Sequence, residues 1–431
     1  MIFKSPADYS LFSDRRNRLF EAIVEKQGWS GPSLLLIFAD FEGTRHLFRQ
    51  DSSFYYLTGV IEPAVVASCY FDGESTLYVP RFGERRDKWV TTSVHVGLDP
   101  KKICFSEIRN LGAPEKSYFF KPLLVQEQYA NLIDDLRSFT MAGGQVFTIQ
   151  SPNKVNSGFD RLLFERLCAW LPGLKDRIVD VSWALESSRR IKDEYEIGLI
   201  HNAAQITSLA QEAAAHSIMH GKFEYEVQAM VDYMFSSVAA ARPGFPSIVA
   251  TGKNATVLHY NDGNCELKDG ELVVVDVGAE YGYYMADLTR TYPVSGTFTA
   301  RQRELYSMVL ETQKYIESIA IPGMYIRNNE HQEKSLHHQA LKFLDQYGYA
   351  QHLSHGIGHF LGLDVHDVGS LSSPLMPGDV FTIEPGIYLS EEECGIRIED
   401  DYVMVDDGVV CLSADLVKEP DDIEALMAEQ E

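Results

Sequence analysis

Apolar and polar positions follow two different rhythms along the chain. Up to about residue 170, short apolar runs at 33–39, 65–70 and 76–79, rich in branched and aromatic side chains and bounded by Gly, Pro or Asp, stand between polar, helix-compatible stretches. Runs of that kind read as strands, and their alternation with helices predicts an α/β layer domain. The turn signal Leu171-Pro172-Gly173-Leu174 then marks a boundary near residue 175, giving a smaller domain over 1–175 and a larger one over 176–431.

Past that boundary the period becomes helical. Leu199, Ala203, Ile206, Ala210 and Ala213 form the stripe of a long amphipathic helix that stops by Gly221, and Phe223, Val227, Met230 and Met234 predict a second. A third begins at the capping box Thr299-Ala300-Arg301-Gln302, runs through Leu305, Val309, Ile316 and Ile319, and is halted by Pro322-Gly323. Between and after these helices lie two strand-rich blocks, 271–294 and 379–405, each with two widely spaced acids. Helices then a paired-acid sheet block, twice over, suggest an α+β fold with an internal duplication that side-chain identity does not repeat.

Composition narrows the function. The 431 residues are 45% hydrophobic and 23% charged, enough for a large core, and no run reaches the roughly 18 apolar residues of a membrane span. Lysine and arginine number 38 against 62 acids, so the net charge of -24 repels phosphate backbones and anionic membranes. Neither nucleic acid nor a membrane is an expected partner. The polar run 13–18 follows a start with no signal-peptide core, and six cysteines without a CxxC pair suit reduced thiols, so the expected compartment is cytoplasmic.

The two acid-bearing blocks carry the chemistry. With a tight turn at Tyr281-Gly282, residues across the first hairpin sum to 563, which sets Asp276 opposite Asp287. Like charges with Cβ atoms about 4.5 to 5.5 Å apart repel unless a cation lies between them. Asp276 also follows Leu272-Val273-Val274-Val275, where an unpartnered carboxylate is costly. A bent strand end, or pairing with Arg290, explains these two alone as well as a metal does. The second block tips the balance, because Glu384 and Glu399 again sit in apolar contexts flanking the polar turn Ser390-Glu391-Glu392-Glu393. Between the blocks, His355, His359 and His366 stand among glycines that let backbone and imidazoles approach a shared centre. His216 and His220, spaced i, i+4 on a helix, lack the glutamate of a zinc HExxH motif, and no metal role is expected there. Four carboxylates with imidazole favour Mn²⁺, with Co²⁺, Fe²⁺ and Zn²⁺ open, and two divalent ions cancel their charge where one does not. Such a pair, about 3.5 to 4 Å apart, activates water and polarises a carbonyl, which is hydrolase chemistry.

The segment 176–420 resembles the catalytic domain of the pita-bread metallopeptidases, with its pseudo-two-fold repeat. The stretches 190–197, Leu258-His259-Tyr260, His355-Gly356-Ile357-Gly358-His359, Glu384-Pro385-Gly386 and Arg397-Ile398-Glu399-Asp400-Asp401 match the proline-specific branch. The stretch 48–59 is similar to the N-terminal domain of aminopeptidase P and the long prolidases. The resemblance implies that Asp276, Asp287, His359, Glu384 and Glu399 hold two divalent ions, with Asp287 and Glu399 bridging both. It makes Glu384 the proton carrier, has His259 and His366 contact the substrate and stabilise the tetrahedral intermediate, and places His355 in the substrate pocket. Arg397 would orient a carboxylate ligand from behind. The implied reaction cleaves the bond between any N-terminal residue and a following proline, in a homodimer or homotetramer.

Two activities share that chemistry, an aminopeptidase open to longer peptides and a prolidase confined to dipeptides. The motif at 54–59, the ending at 418–427 and the short link from Glu384 to Glu399, where long prolidases carry an insertion, favour the aminopeptidase. A dipeptidase needs a fixed cation for the proline carboxylate, for which Arg81, Arg85 and Arg86 are candidates. A metal-free peptide-binding relative and a creatinase-like hydrolase fit less well, because all five ligand positions are filled.

Overall fold

The computed structural model describes residues 8–28, 31–43, 47–82, 86–115, 118, 125–150, 158–239 and 241–429. They divide into two compact units, one ending at Arg189 and the other beginning at Arg190.

The first unit runs α1 (Ser10–Gln27), β1 (Ser33–Phe38), α2 (Ser52–Thr58), β2 (Val66–Tyr70), β3 (Ser75–Val79), β4 (Glu107–Asn110), α3 (Ala130–Met141), β5 (Gln145–Thr148), α4 (Gly158–Trp170), β6 (Ile178–Asp180) and α5 (Ser182–Arg190). The three apolar runs expected as strands are β1, β2 and β3. One six-stranded sheet orders them β4-β3-β2-β1-β5-β6, with β1, β2 and β3 antiparallel and β4, β5 and β6 each joined in parallel. Leu34, Leu36 and Val146 of the sheet pack on Leu132 and Leu136 of α3 and Leu163 and Leu167 of α4. The turn at 171–174 lies inside this unit, because β6 beyond it still pairs with β5. Arg86 is buried here and donates to Glu42 Oε1 at 2.7 Å and to the Tyr118 carbonyl at 2.6 Å. Its charge is already engaged; Arg81 is exposed, and Arg85 lies outside the described residues.

The second unit begins with α6 (Glu194–Ser217), whose Asp193 and Glu196 form a reciprocal capping box, and α7 (Glu224–Ala239). α6 buries Leu199, Ala203, Ile206 and Ala210 as its stripe predicts, but Ala213 at the end of the stripe is half-buried and Ala214 is buried instead. α7 departs from expectation: Val227, Val231 and Phe235 are buried at four-residue steps, leaving Met230 38% exposed one position round the helix. His220 lies beyond the end of α6 and accepts from Asp269 N, so it forms no i, i+4 helical pair with His216.

The strands β7 (Arg242–Pro243), β8 (Ile248–Thr251), β9 (Leu272–Val277), β10 (Ala279–Tyr281), β11 (Tyr284–Met285) and β12 (Leu288–Pro293) follow. Then come α8 (Ala300–Ile319), with the expected Thr299–Gln302 capping box, and α9 (Leu336–Asp345). The second sheet block holds β13 (Val380–Ile383), β14 (Gly386–Leu389), β15 (Cys394–Arg397), β16 (Asp400–Val405) and β17 (Gly408–Cys411), and α10 (Pro420–Ala428) closes the unit. Each half is a helix pair followed by antiparallel strands, and the halves are stitched together where Thr289 and Glu399 exchange backbone hydrogen bonds of 3.3 and 3.1 Å. No helix among the described residues is long and apolar enough to cross a membrane.

The register of the first hairpin corrects the expected one. Tyr281 pairs with Tyr284, so the turn residues are Gly282 and Tyr283, both left-handed with φ of 60° and 75°. That is the geometry a two-residue hairpin turn with the twist of the strands requires. Asp276 therefore faces Thr289, and Asp287 is its diagonal neighbour rather than its direct partner. The ladder also breaks at Gly278, where any Cβ would overlap the Ala286 carbonyl.

Candidate metal centre

Asp276 ends its run of valines near the end of β9, and Asp287 lies in the break between β11 and β12, where Asp401 of β16 accepts its N–H at 3.2 Å. Glu384 precedes β14 and Glu399 follows β15, one at each open end of the hairpin whose Gly386 pairs with Arg397. His359 comes from the glycine-rich connection before β13. Its backbone is drawn against that strand by Gly358, where a Cβ would collide with the Thr382 carbonyl. All four acids and the imidazole converge. His359 Nε2 stands 3.4 Å from Asp287 Oδ2, 3.8 Å from Glu384 Oε1 and 3.9 Å from Glu399 Oε1.

A continuous chain of hydrogen bonds supports this cluster. Arg397 donates from Nη2 to Asp276 Oδ2 at 2.6 Å and from Nη1 to the Tyr388 hydroxyl at 2.8 Å. The Tyr388 hydroxyl meets His355 Nε2 at 2.7 Å, and His355 Nδ1 donates to the Gly356 carbonyl at 2.7 Å, with Glu384 Oε2 3.3 Å away. Thr289 Oγ1 donates to Glu399 Oε2 at 2.7 Å while accepting from Arg397 Nε at 3.3 Å. Beneath, Arg290 is fully buried and takes Asp400, not Asp276 or Asp287, as its carboxylate at 2.7 Å. The His366 ring lies 4.2 Å from that of His359. The structure thus brings eight of the nine sequence-predicted residues into mutual contact, while His259 is exposed on the connection between β8 and β9. Tyr388, Thr289 and Asp401 were not singled out from the sequence; a hydroxyl or acid in a strand carries no signal until its partner across the sheet is known.

The electrostatics of the cluster ask for a cation. Burial first, then the charges of Asp276, Asp401 and Glu384, hold the Asp287 carboxyl well above the usual carboxylate range. Burial followed by Asp287 and Glu384 does the same to Glu399. Burial pushes Glu384 up to about 7, with His359 and Arg397 opposing and Asp276 adding to it. His355 and His366 are each pushed down to about 4, mainly by desolvation, so both imidazoles are neutral at pH 7. Three buried oxygens, Asp276 Oδ1, Asp287 Oδ1 and Glu399 Oε1, find no hydrogen-bond partner among the described residues. Buried carboxylate oxygens are ordinarily satisfied, and three stranded in one cluster fit a divalent cation. One ligand atom each from Asp287, His359 and Glu399 lie within 4.8 Å of one another.

Two hairpin-bearing halves lending acids to a shared imidazole define a metallopeptidase of the pita-bread class. The model of metallopeptidase family M24 matches residues 198–406, and that of the aminopeptidase P N-terminal domain matches residues 12–98. The Xaa-Pro aminopeptidase of Haemophilus influenzae is 32% identical, over 96% of this chain and 96% of that protein. Aminopeptidase P from Escherichia coli, solved with the inhibitor Pro-Leu, superposes with a TM-score of 0.80 at 28% identity, covering 99% of both chains. Proline aminopeptidase P II from Yersinia pestis gives a TM-score of 0.80 at 27% identity, over 98% of this chain and 99% of that one. The chain belongs to metallopeptidase family M24, in the branch that carries the aminopeptidase P N-terminal domain.

Proposed function

We propose that the protein is an Xaa-Pro aminopeptidase whose Asp276, Asp287, His359, Glu384 and Glu399 hold two divalent ions, with Mn²⁺ the preferred metal. The observation that carries the metal assignment is the set of three partnerless buried carboxylate oxygens around His359. Four carboxylates call for two divalent charges, and oxygen-rich ligation suits Mn²⁺. Such ions, when bound, supply a Lewis acid and lower the pKa of water. Asp287 and Glu399, both beside the imidazole, would serve both ions.

The chain's own residues do the rest. Glu384, 3.8 Å from His359 Nε2 at the edge of the cluster, takes a proton and returns it. His366, neutral at pH 7, and His259 offer hydrogen bonds to the charge that develops on the scissile carbonyl oxygen. Arg397 fixes the orientation of Asp276, and the path through Tyr388 orients His355, which stands beside Glu384. His355 also faces the substrate. The six cysteines are all free, which suits a cytoplasmic enzyme.

Likeness over both units to Xaa-Pro aminopeptidases supports the longer-peptide activity over prolidase. The internal engagement of Arg86 supports it too, since it removes one cation a dipeptidase might use for the proline carboxylate. The test is hydrolysis by the Mn²⁺-reconstituted chain of Xaa-Pro and Xaa-Pro-Yaa peptides. The tripeptide is expected to be cleaved with kcat/KM at least equal to that of the dipeptide, releasing the free first residue. Cleavage confined to the dipeptide makes the protein a prolidase, and full activity after chelation removes the metal assignment.

A further inference from the structure

We propose that Glu224, which no part of the chemistry above uses, is the residue that positions His259. The inference rests on the reading of His259 as a substrate-facing donor. Glu224 opens α7 and is fully buried. Its carboxylate accepts four hydrogen bonds: at Oε1 from Thr251 N at 2.8 Å and Asn254 Nδ2 at 3.0 Å, and at Oε2 from the Tyr260 hydroxyl at 2.8 Å and Cys265 N at 3.0 Å. A carboxylate has about four lone-pair sites, and all are occupied here. Thr251 ends β8, and the other three donors are spread along the connection from β8 to β9, which carries His259. Two further bonds, from Glu224 N to the Cys265 carbonyl and from Tyr225 N to the Gly263 carbonyl, each 3.0 Å, bind the far end of that connection to the start of α7.

The two residues at 259 and 260 then face opposite ways. Tyr260 is buried against Ile248, Ala250, Ala255 and Val274, while His259 is exposed. Fixing the Tyr260 hydroxyl on Glu224 therefore fixes the backbone from which the imidazole projects. The opposite side of the connection is seated just as closely, since a Cβ at Gly395 of β15 would meet the Ala255 carbonyl. A side chain on a long connection must be held to within about 0.5 Å to stabilise charge efficiently, and its own packing cannot do that when it faces solvent. Only a carboxylate accepts at both ends. A glutamine of the same shape turns a donor toward two of the four donors and must release them.

Glu224 is thus a positioning residue, and its effect must pass through His259. In the Mn²⁺-loaded full chain acting on an Xaa-Pro-Yaa peptide, Glu224→Gln is expected to lower kcat by about 10- to 10²-fold, with KM changing less. In a His259→Ala background the same substitution is expected to have almost no further effect, because coupled sites are non-additive. An equal loss in both backgrounds overturns the proposal in favour of general support of the fold. Tyr260→Phe, which withdraws one donor of the four, gives a smaller step in the same direction and replaces Glu224→Gln if that variant does not fold. A second measurement needs no substrate. The histidine ring signals of the full chain, followed by NMR, should show His259 broadened or split by Glu224→Gln while buried His337 is unchanged. An unchanged His259 signal overturns the proposal. A responsive signal in a chain that cleaves no Xaa-Pro peptide leaves the positioning intact and defeats the activity assigned above.

Discussion

At the residue scale, the ligand imidazole and its neighbour are separable. His359→Ala removes a group within 4 Å of three carboxylates and should lower metal content measured by atomic emission. His366→Ala removes the substrate donor proposed above, leaves the acids untouched, and should lower kcat about 10²-fold or more at unchanged metal content. Loss of metal in His366→Ala would show that the two roles are wrongly divided. The raised Glu384 carboxyl gives a pH signature of the metal-free protein. Its folded pKa, about 7, exceeds the ordinary 4.5, so between those values the native state binds more protons than the unfolded one. Stability from this group is complete below about pH 4.5 and is lost as pH rises through about 7. Urea midpoints of chelated protein should fall across that window, and saturating Mn²⁺ should flatten the fall. The acids and the glycine-spaced histidines were legible in the sequence because charge inside an apolar run is anomalous wherever it occurs. Glu224 was not, because its four donors lie 27 or more positions away, among residues whose types are common in any loop.

At the scale of elements, helices were read more faithfully than hairpin registers. The stripe of α6 and the capping box of α8 are local, and each fixes its element without reference to the rest of the chain. The first hairpin is different, because a tyrosine at a left-handed turn position contradicts side-chain preference, and the sequence placed the turn one residue early. Its register was settled instead by the break at Gly278 and by the pairing of Thr289 with Glu399. Two predictions belong here. Gly358→Ala places a methyl against the Thr382 carbonyl and should displace the backbone of His359, lowering both the melting midpoint and the Mn²⁺ content. Asp400→Asn breaks a pair whose partners are both fully buried, leaving Arg290 uncompensated. Denaturant titration should show a loss of about 3–5 kcal/mol, with the ligand set intact. A loss below about 1 kcal/mol, the scale of an exposed pair, would mean that the remaining acceptors around Arg290 suffice.

At the scale of the whole molecule, all nine residues of the site come from the unit that begins at Arg190. A fragment spanning 190–431 is therefore expected to bind Mn²⁺ in a calorimetric titration, and failure of a folded fragment to do so would place a further determinant outside it. Within that unit the work is divided, with Asp276 and Asp287 from the first sheet block, Glu384 and Glu399 from the second, and His359 from the connection between them. Neither block holds a complete set, and the contact between Thr289 and Glu399 is where the two close on each other. During synthesis, a nascent chain that has already folded its first hairpin holds two mutually repelling aspartates and nothing to complete their coordination. On the ligand set proposed above, tight metal capture would wait until Glu399 has left the ribosome, and the ion would be a late arbiter that rewards only chains whose two halves have met.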